Sequence, residues 1–263
     1  MFGKLMKYEM KSLSKGLIPL YGAILAVALI NSIMWSVGGN GPTSTSGTIS
    51  SLSRITAMLV YFGLCVAIAV VTFLVVIQRF YKGLLGQEGY LMFTLPVPTW
   101  QLTLSKLVGA VITTILSGIV GILSILILGS LEIDWSMFFR DFASIFPHWT
   151  LDATLFIIEL IVLMLVGVAA MILEIYVAMA LGHLANKHRI AMSFVWFVVL
   201  QTVLSFLTGL AAMALGYSPF FPAFYANLSA HGMMWMMILP CLIEAAVFYF
   251  GTTWILKNKL NLE

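Results

Sequence analysis

The sequence predicts an all-α integral membrane protein with six transmembrane helices, an N-terminal interfacial helix and a short cytoplasmic helix between the second and third spans. Three observations predict it. The chain is 62% apolar and only 9% charged, against roughly 45–50% apolar residues in a soluble domain, and its mean hydropathy is +1.07. Six apolar runs reach the length of about 20 residues that a bilayer crossing needs. The cations fall almost entirely on alternate connections, on one side of those runs.

The runs cover about 17–37, 55–77, 107–129, 153–182, 191–215 and 233–256. They are continuous rather than alternating, which excludes a transmembrane barrel. In hydrocarbon the backbone must satisfy its own hydrogen bonds, so each run is expected to be a helix. The fourth is long enough to tilt or protrude. Lys4, Lys7, Lys11, Lys15, Arg79, Lys82, Lys106, Lys187, Arg189, Lys257 and Lys259 lie at the termini and the second and fourth connections, against Arg54 and Arg140 opposite. That bias predicts both termini in the cytoplasm. The net charge of +3 is therefore a topology signal, and no nucleic-acid partner is expected.

Residues 1–16, MFGKLMKYEMKSLSKG, precede the first run. Phe2, Leu5, Met6, Met10 and Leu13 recur at helical spacing, with Lys4, Lys7, Lys11 and Lys15 opposite. This pattern predicts an amphipathic helix on the inner membrane surface, lysines toward anionic lipid. A secretory signal is the competing reading, but the basic region is long, contains Glu9, and lacks a small-residue cleavage site. Residues 17–263 are expected to form one six-span domain.

The outer connections differ. Residues 38–53, GGNGPTSTSGTISSLS, read as a flexible linker. In 131–152, Trp135, Phe138, Phe139, Phe142, Ile145 and Phe146 make an aromatic face, predicting a second interfacial helix that ends near Pro147. The segment GYSPFFPAFYANLSAHG (216–232) is aromatic and proline-broken, and is expected to dip into the interface or cap a cavity.

Signatures of catalysis are missing. There is no His-Glu-x-x-His, no nucleophile elbow and no phosphate-cradling Gly-x-x-x-x-Gly-Lys-Ser/Thr. No catalytic residue, metal or bound cofactor is expected, and the chain is not read as an enzyme. His183 and His188 read as solvated loop residues. Within the spans, Glu159, Glu174 and Glu244 stand out, because a charge at the bilayer centre costs about 2.5–3.5 kcal/mol on insertion scales. They are candidate pathway-lining residues. The competing reading makes each an interhelical hydrogen bond that fixes packing. No lysine or arginine within the spans offers a partner.

The connection over 78–106 is elaborate for a loop. Arg79 and Lys82 mark the inner boundary, Gly86 and Gly89 bracket Gln87 and Glu88 to permit a reversal, and 90–95 predict a turn or two of amphipathic helix. Pro96 and Pro98 stop it, and Thr99 can cap the next helix. Together, RFYKGLLGQEGYLMFTLPVPTWQLTLSKL (79–107) resembles the first cytoplasmic loop of permease subunits of bacterial ABC-type exporters of the second class. The resemblance rests on Phe80-Tyr81-Lys82, Glu88-Gly89-Tyr90-Leu91, Thr94-Leu95-Pro96 and Ser105-Lys106, about 30 residues, and the six-span plan extends it to the whole chain.

The resemblance implies a transport subunit in the bacterial plasma membrane. Its loop, the coupling helix, docks on a separate ABC ATPase, present in two copies per complex, which carries ATP and magnesium. A second permease, identical or related, completes the pathway. The implied docking residues are Gln87, Glu88, Tyr90 and Leu91, supported by Phe80 and Lys82. Glu88 also suits a helix N-terminus, worth about 0.3–1 kcal/mol. The apolar bundle and aromatic outer loops suit a lipophilic or amphipathic cargo such as an antimicrobial peptide, a lipid or a drug. Two other classes stay open: an ion- or proton-coupled secondary transporter using Glu174 and Glu244, and a membrane scaffold or immunity protein, which leaves the inner loop unexplained.

Overall fold

A computed structural model describes residues 2–37, 46–86, 89, 94, 97–130, 134–145, 150–185, 187–216 and 228–259. The described residues form helices joined by turns: α1 (Phe2–Val37), α2 (Ser46–Phe80), a π-helical turn (Tyr81–Leu85), α3 (Thr99–Gly129), α4 (Trp135–Ile145), α5 (Leu151–His183), α6 (Arg189–Gly216) and α7 (Ala230–Asn258). Six of them are long and apolar enough to cross a membrane: Leu5–Met34, Ile55–Leu85, Thr99–Gly129, Leu151–His183, Arg189–Ala214 and Ala230–Asn258. The surface agrees with that reading. Phe62, Phe206, Ile243 and Phe250 are each 65–69% exposed, an apolar display that water penalises and lipid tails accept.

Two boundaries differ from the sequence reading. The helix passes from residues 1–16 into the first apolar run without interruption, Pro19 included. Its inward stripe runs through Glu9, Leu13, Leu17, Ile24 and Ala28, so Glu9 lies on the buried side, between Leu5 and Leu13 of the expected apolar face. The linker expected over 38–53 is helical from Ser46, because extending an existing helix adds one bond per residue without a new nucleus. Residues 38–45 lie outside the described residues, as do 217–227 of the last connection. α4 forms where the aromatic face predicts a helix, and Phe146 and Pro147 lie outside the described residues.

The chain divides into two compact units. One comprises Ile77–Val111 and Thr150–Glu263 with Met1–Gly3; the other comprises Lys4–Val76 and Ile112–Trp149. In the second unit, Ile24 and Ala28 of α1 pack with Tyr61 and Ile68 of α2, and Val120, Ile127 and Leu128 of α3 lie against them. Hydroxyls stitch these helices. Ser117 Oγ bonds both Tyr21 Oη (2.6 Å) and Thr72 Oγ1 (2.8 Å), Tyr61 Oη bonds Ser124 Oγ (2.8 Å), and the Asn31 amide donates to the Ala57 carbonyl (2.9 Å). Such bonds hold helices where lipid supplies no competing hydrogen-bonding groups.

In the same unit α4 begins at a capping aspartate. Asp134 Oδ1 accepts from the Ser136 hydroxyl (2.7 Å) and from the amides of Ser136 (3.0 Å) and Met137 (3.3 Å), satisfying orphan donors of the first turn. The Ser136 hydroxyl first, then the two amides, hold this carboxyl below the usual carboxylate range.

In the first unit α5 packs along α7 and α6 and touches the π-helical turn. Gly182 is what lets α5 and α6 close. A Cβ there collides with Ser193, including its backbone N and Cα. α5 is capped by Thr150, whose hydroxyl accepts from the Ala153 amide (3.2 Å), and α7 by Ser229, which accepts from the Gly232 amide (3.2 Å).

Candidate functional site

The connection expected to carry the docking surface begins as a built corner. At the end of α2 the helix widens into the π-helical turn, a departure that recurs at functional sites. Phe80 is fully buried and its ring stacks on Tyr176 of α5, with centroids 3.8 Å apart and planes 15° from parallel. Leu84 and Leu85 are buried beside it. The Tyr176 hydroxyl donates to the Lys106 carbonyl of α3 (3.3 Å). The turn is thereby tied through one aromatic pair to both α3 and α5.

Glycine is required at one place in this corner. Gly89 donates its amide to the Gly86 carbonyl (2.9 Å), and a Cβ on it would lie 2.5 Å from the Leu84 carbonyl oxygen. This close backbone approach explains the glycine without any need for a left-handed conformation. Lys106 is 5% exposed, and a Cβ at Gly83 would stand 2.7 Å from its Nζ, the end of a flexible side chain that can shift. Of the six expected docking residues, Phe80 supports the turn from inside and Lys82 is exposed. Gln87, Glu88, Tyr90 and Leu91 lie outside the described residues.

One histidine departs from its expected place. His183 is 7% exposed rather than solvated, because α5 continues to it and turns its ring against Tyr81, edge to face at 6.2 Å. Its Nε2 lies 3.3 Å from the Arg189 guanidinium. A guanidinium only donates, so Nε2 accepts and the ring proton sits on Nδ1, which is buried and meets no hydrogen-bond partner among the described residues.

The three span carboxylates have different surroundings. Glu159 of α5 is fully engaged: Oε2 is paired with His231 Nδ1 at 2.8 Å and Oε1 accepts from the Trp235 indole at 3.0 Å. Both partners sit on the first turns of α7, so the pair joins α5 to α7. Glu174 is 2% exposed. Its Oε2 accepts from the Gln201 amide of α6 at 2.9 Å, whereas Oε1 is buried with no hydrogen-bond partner among the described residues. Glu244 of α7, one turn beyond Pro240, is half-buried, and its carboxyl acts on that of Glu174 through space. Glu174 is thus held from α6 and Glu159 from α7.

Sequence reasoning missed His231, Trp235, Gln201 and Tyr176. His231 and Trp235 do carry a signal, being four residues apart on one helix face. Gln201 is a single amide in an apolar run, and nothing local ties it to Glu174. Among the described residues no group of three or more His, Cys, Asp or Glu side chains could hold a metal. No protein-family model, curated protein or solved structure matches this chain.

Proposed function

We propose that this chain is the transmembrane permease subunit of an ATP-driven exporter of the second ABC class, moving a lipophilic or amphipathic substrate out of the cell. The observation that carries the reading is the segment 79–107: its sequence resembles a coupling loop, and its described part is a rigid corner. ATP and magnesium would be held by a separate ATPase, since this sequence has no phosphate-cradling loop. A second permease, identical or related, would complete the pathway in a bacterial plasma membrane, with both termini of this chain cytoplasmic.

The corner suits a lever. A push delivered to the segment after Gly86 meets Phe80 against Tyr176. Close-packed contacts of this kind transmit displacement because they cannot compress. α2, α3 and α5 would then move together at that corner while the bundle changes access. The exposed Lys82 and the acidic Glu88 would supply the polar part of the docking surface.

Purification of the tagged chain from its native membrane in mild detergent tests the reading. An ATPase of about equal stoichiometry is expected with the wild-type chain, and its loss with Glu88→Lys, which reverses a charge of the connection. Absence of any ATPase with the wild-type chain, even after cross-linking, overturns the proposal.

A further inference from the structure

Glu174 presents an imbalance that neither the fold nor a coupling role explains. It is 2% exposed, its Oε2 has the neutral Gln201 amide as partner, and its Oε1 is enclosed with none among the described residues. Among the described residues of α5, α6 and α7 none supplies a countercharge, and the buried Lys106 of α3 has its Nζ at Gly83. α6 offers Gln201, while its Arg189 is engaged with His183. α7 offers Glu244, a like charge, and Tyr249, whose hydroxyl donates to the Trp100 carbonyl. On α5 itself the nearest polar ring, Tyr176, donates to the Lys106 carbonyl, and the π-helical turn sets Tyr81 against His183. Among the described residues, Glu244 is the charged group that acts on Glu174.

A bare carboxylate so enclosed, with one neutral hydrogen bond and a second carboxyl nearby, carries a desolvation cost that nothing offsets. A single positive charge at Oε1 removes the conflict, and the vacant hydrogen-bonding position on that oxygen is where it would sit. We propose that Glu174 Oε1 binds one small monovalent cation, a proton or a sodium ion, where α5 packs on α6. Gln201 orients the carboxyl by holding Oε2, which leaves Oε1 as the binding atom. Glu159 is the internal contrast, since both of its oxygens are occupied by His231 and Trp235 and it needs no further ligand. The inference stands independently of any ATPase.

Infrared difference spectroscopy of the purified full chain, wild type against Glu174→Gln, reads the occupant directly, because a protonated carboxyl has a C=O stretch that a carboxylate lacks. Spectra are taken in sodium-free choline chloride and in sodium chloride. An acid band lost in Glu174→Gln and equal in both salts identifies a proton. A band present in choline and removed by sodium identifies a sodium ion competing for Oε1. Either result supports the site, and Glu244→Gln is then expected to displace the pH midpoint of the band, because it removes the carboxyl acting on Glu174. A Glu174 carboxylate without an acid band in both salts, across about pH 5–8, overturns the proposal.

Discussion

The two units solve the same problem, holding apolar helices together, with different chemistry. The unit containing α1 joins its helices through neutral hydroxyls, and the central ones are satisfied: Ser117 alone serves Tyr21 and Thr72. The unit containing α5 joins its helices through carboxylates and through a backbone approach at Gly182, and among the described residues Glu174 Oε1 and His183 Nδ1 are buried without partners. A satisfied neutral seam is static glue. Buried ionisable groups with open valences are costly and are retained in membranes chiefly where a path, a proton or an ion uses them. The first seam is held by hydroxyls, and the second holds the carboxylates.

The largest test of that contrast uses glycine. Gly182→Ala forces a Cβ into the Ser193 backbone and is expected to cost about 1–3 kcal/mol, read as a lower midpoint of thermal unfolding in detergent. Gly121→Ala on α3 meets nothing within 4 Å, and removes a helix-interior glycine, so it is expected to gain about 0.5–1 kcal/mol. Changes of the same sign would show that α5 and α6 do not close on each other at Gly182.

A smaller effect is expected from the hydroxyl seam. Ser117→Ala removes two interhelical bonds in an apolar setting and should cost about 1 kcal/mol. Its double-mutant cycle with Thr72→Val should show coupling, whereas its cycle with Tyr61→Phe, which removes the Ser124 bond instead, should be close to additive. Coupling in both cycles would make the seam a continuous network rather than separate pairs.

The smallest effect is a pH dependence at α4. The Asp134 carboxyl is depressed in the folded chain, so its contribution is fully present above the unfolded value of about 3.9. That contribution is lost as pH falls through the lower folded value. Protection of the Met137 and Phe138 amides, corrected for intrinsic exchange, should decline only in that acid window, and Asp134→Asn should flatten the decline. Fraying that begins near neutral pH would remove Asp134 as the cap.

Much of this was legible in the sequence because a bilayer imposes one dominant rule. Six apolar runs became six span-length helices, and α4 formed where aromatic spacing pointed. Boundaries were less legible, as at Ser46, since helix propagation overrides weak linker propensity. The partners of the span glutamates could not be read at all. Gln201 is 27 residues from Glu174, and His231 is 72 residues from Glu159, distances at which no local pattern operates.

By itself, then, the sequence determined the solvent, the number of span-length helices and the residues that are out of place in that solvent, because hydropathy and length are properties of short segments. The tertiary structure decided which of those residues are satisfied. It gave Glu159 two donors, gave Glu174 one, and set Lys106 against Gly83, because hydrogen bonding and close approach depend on which helices pack together.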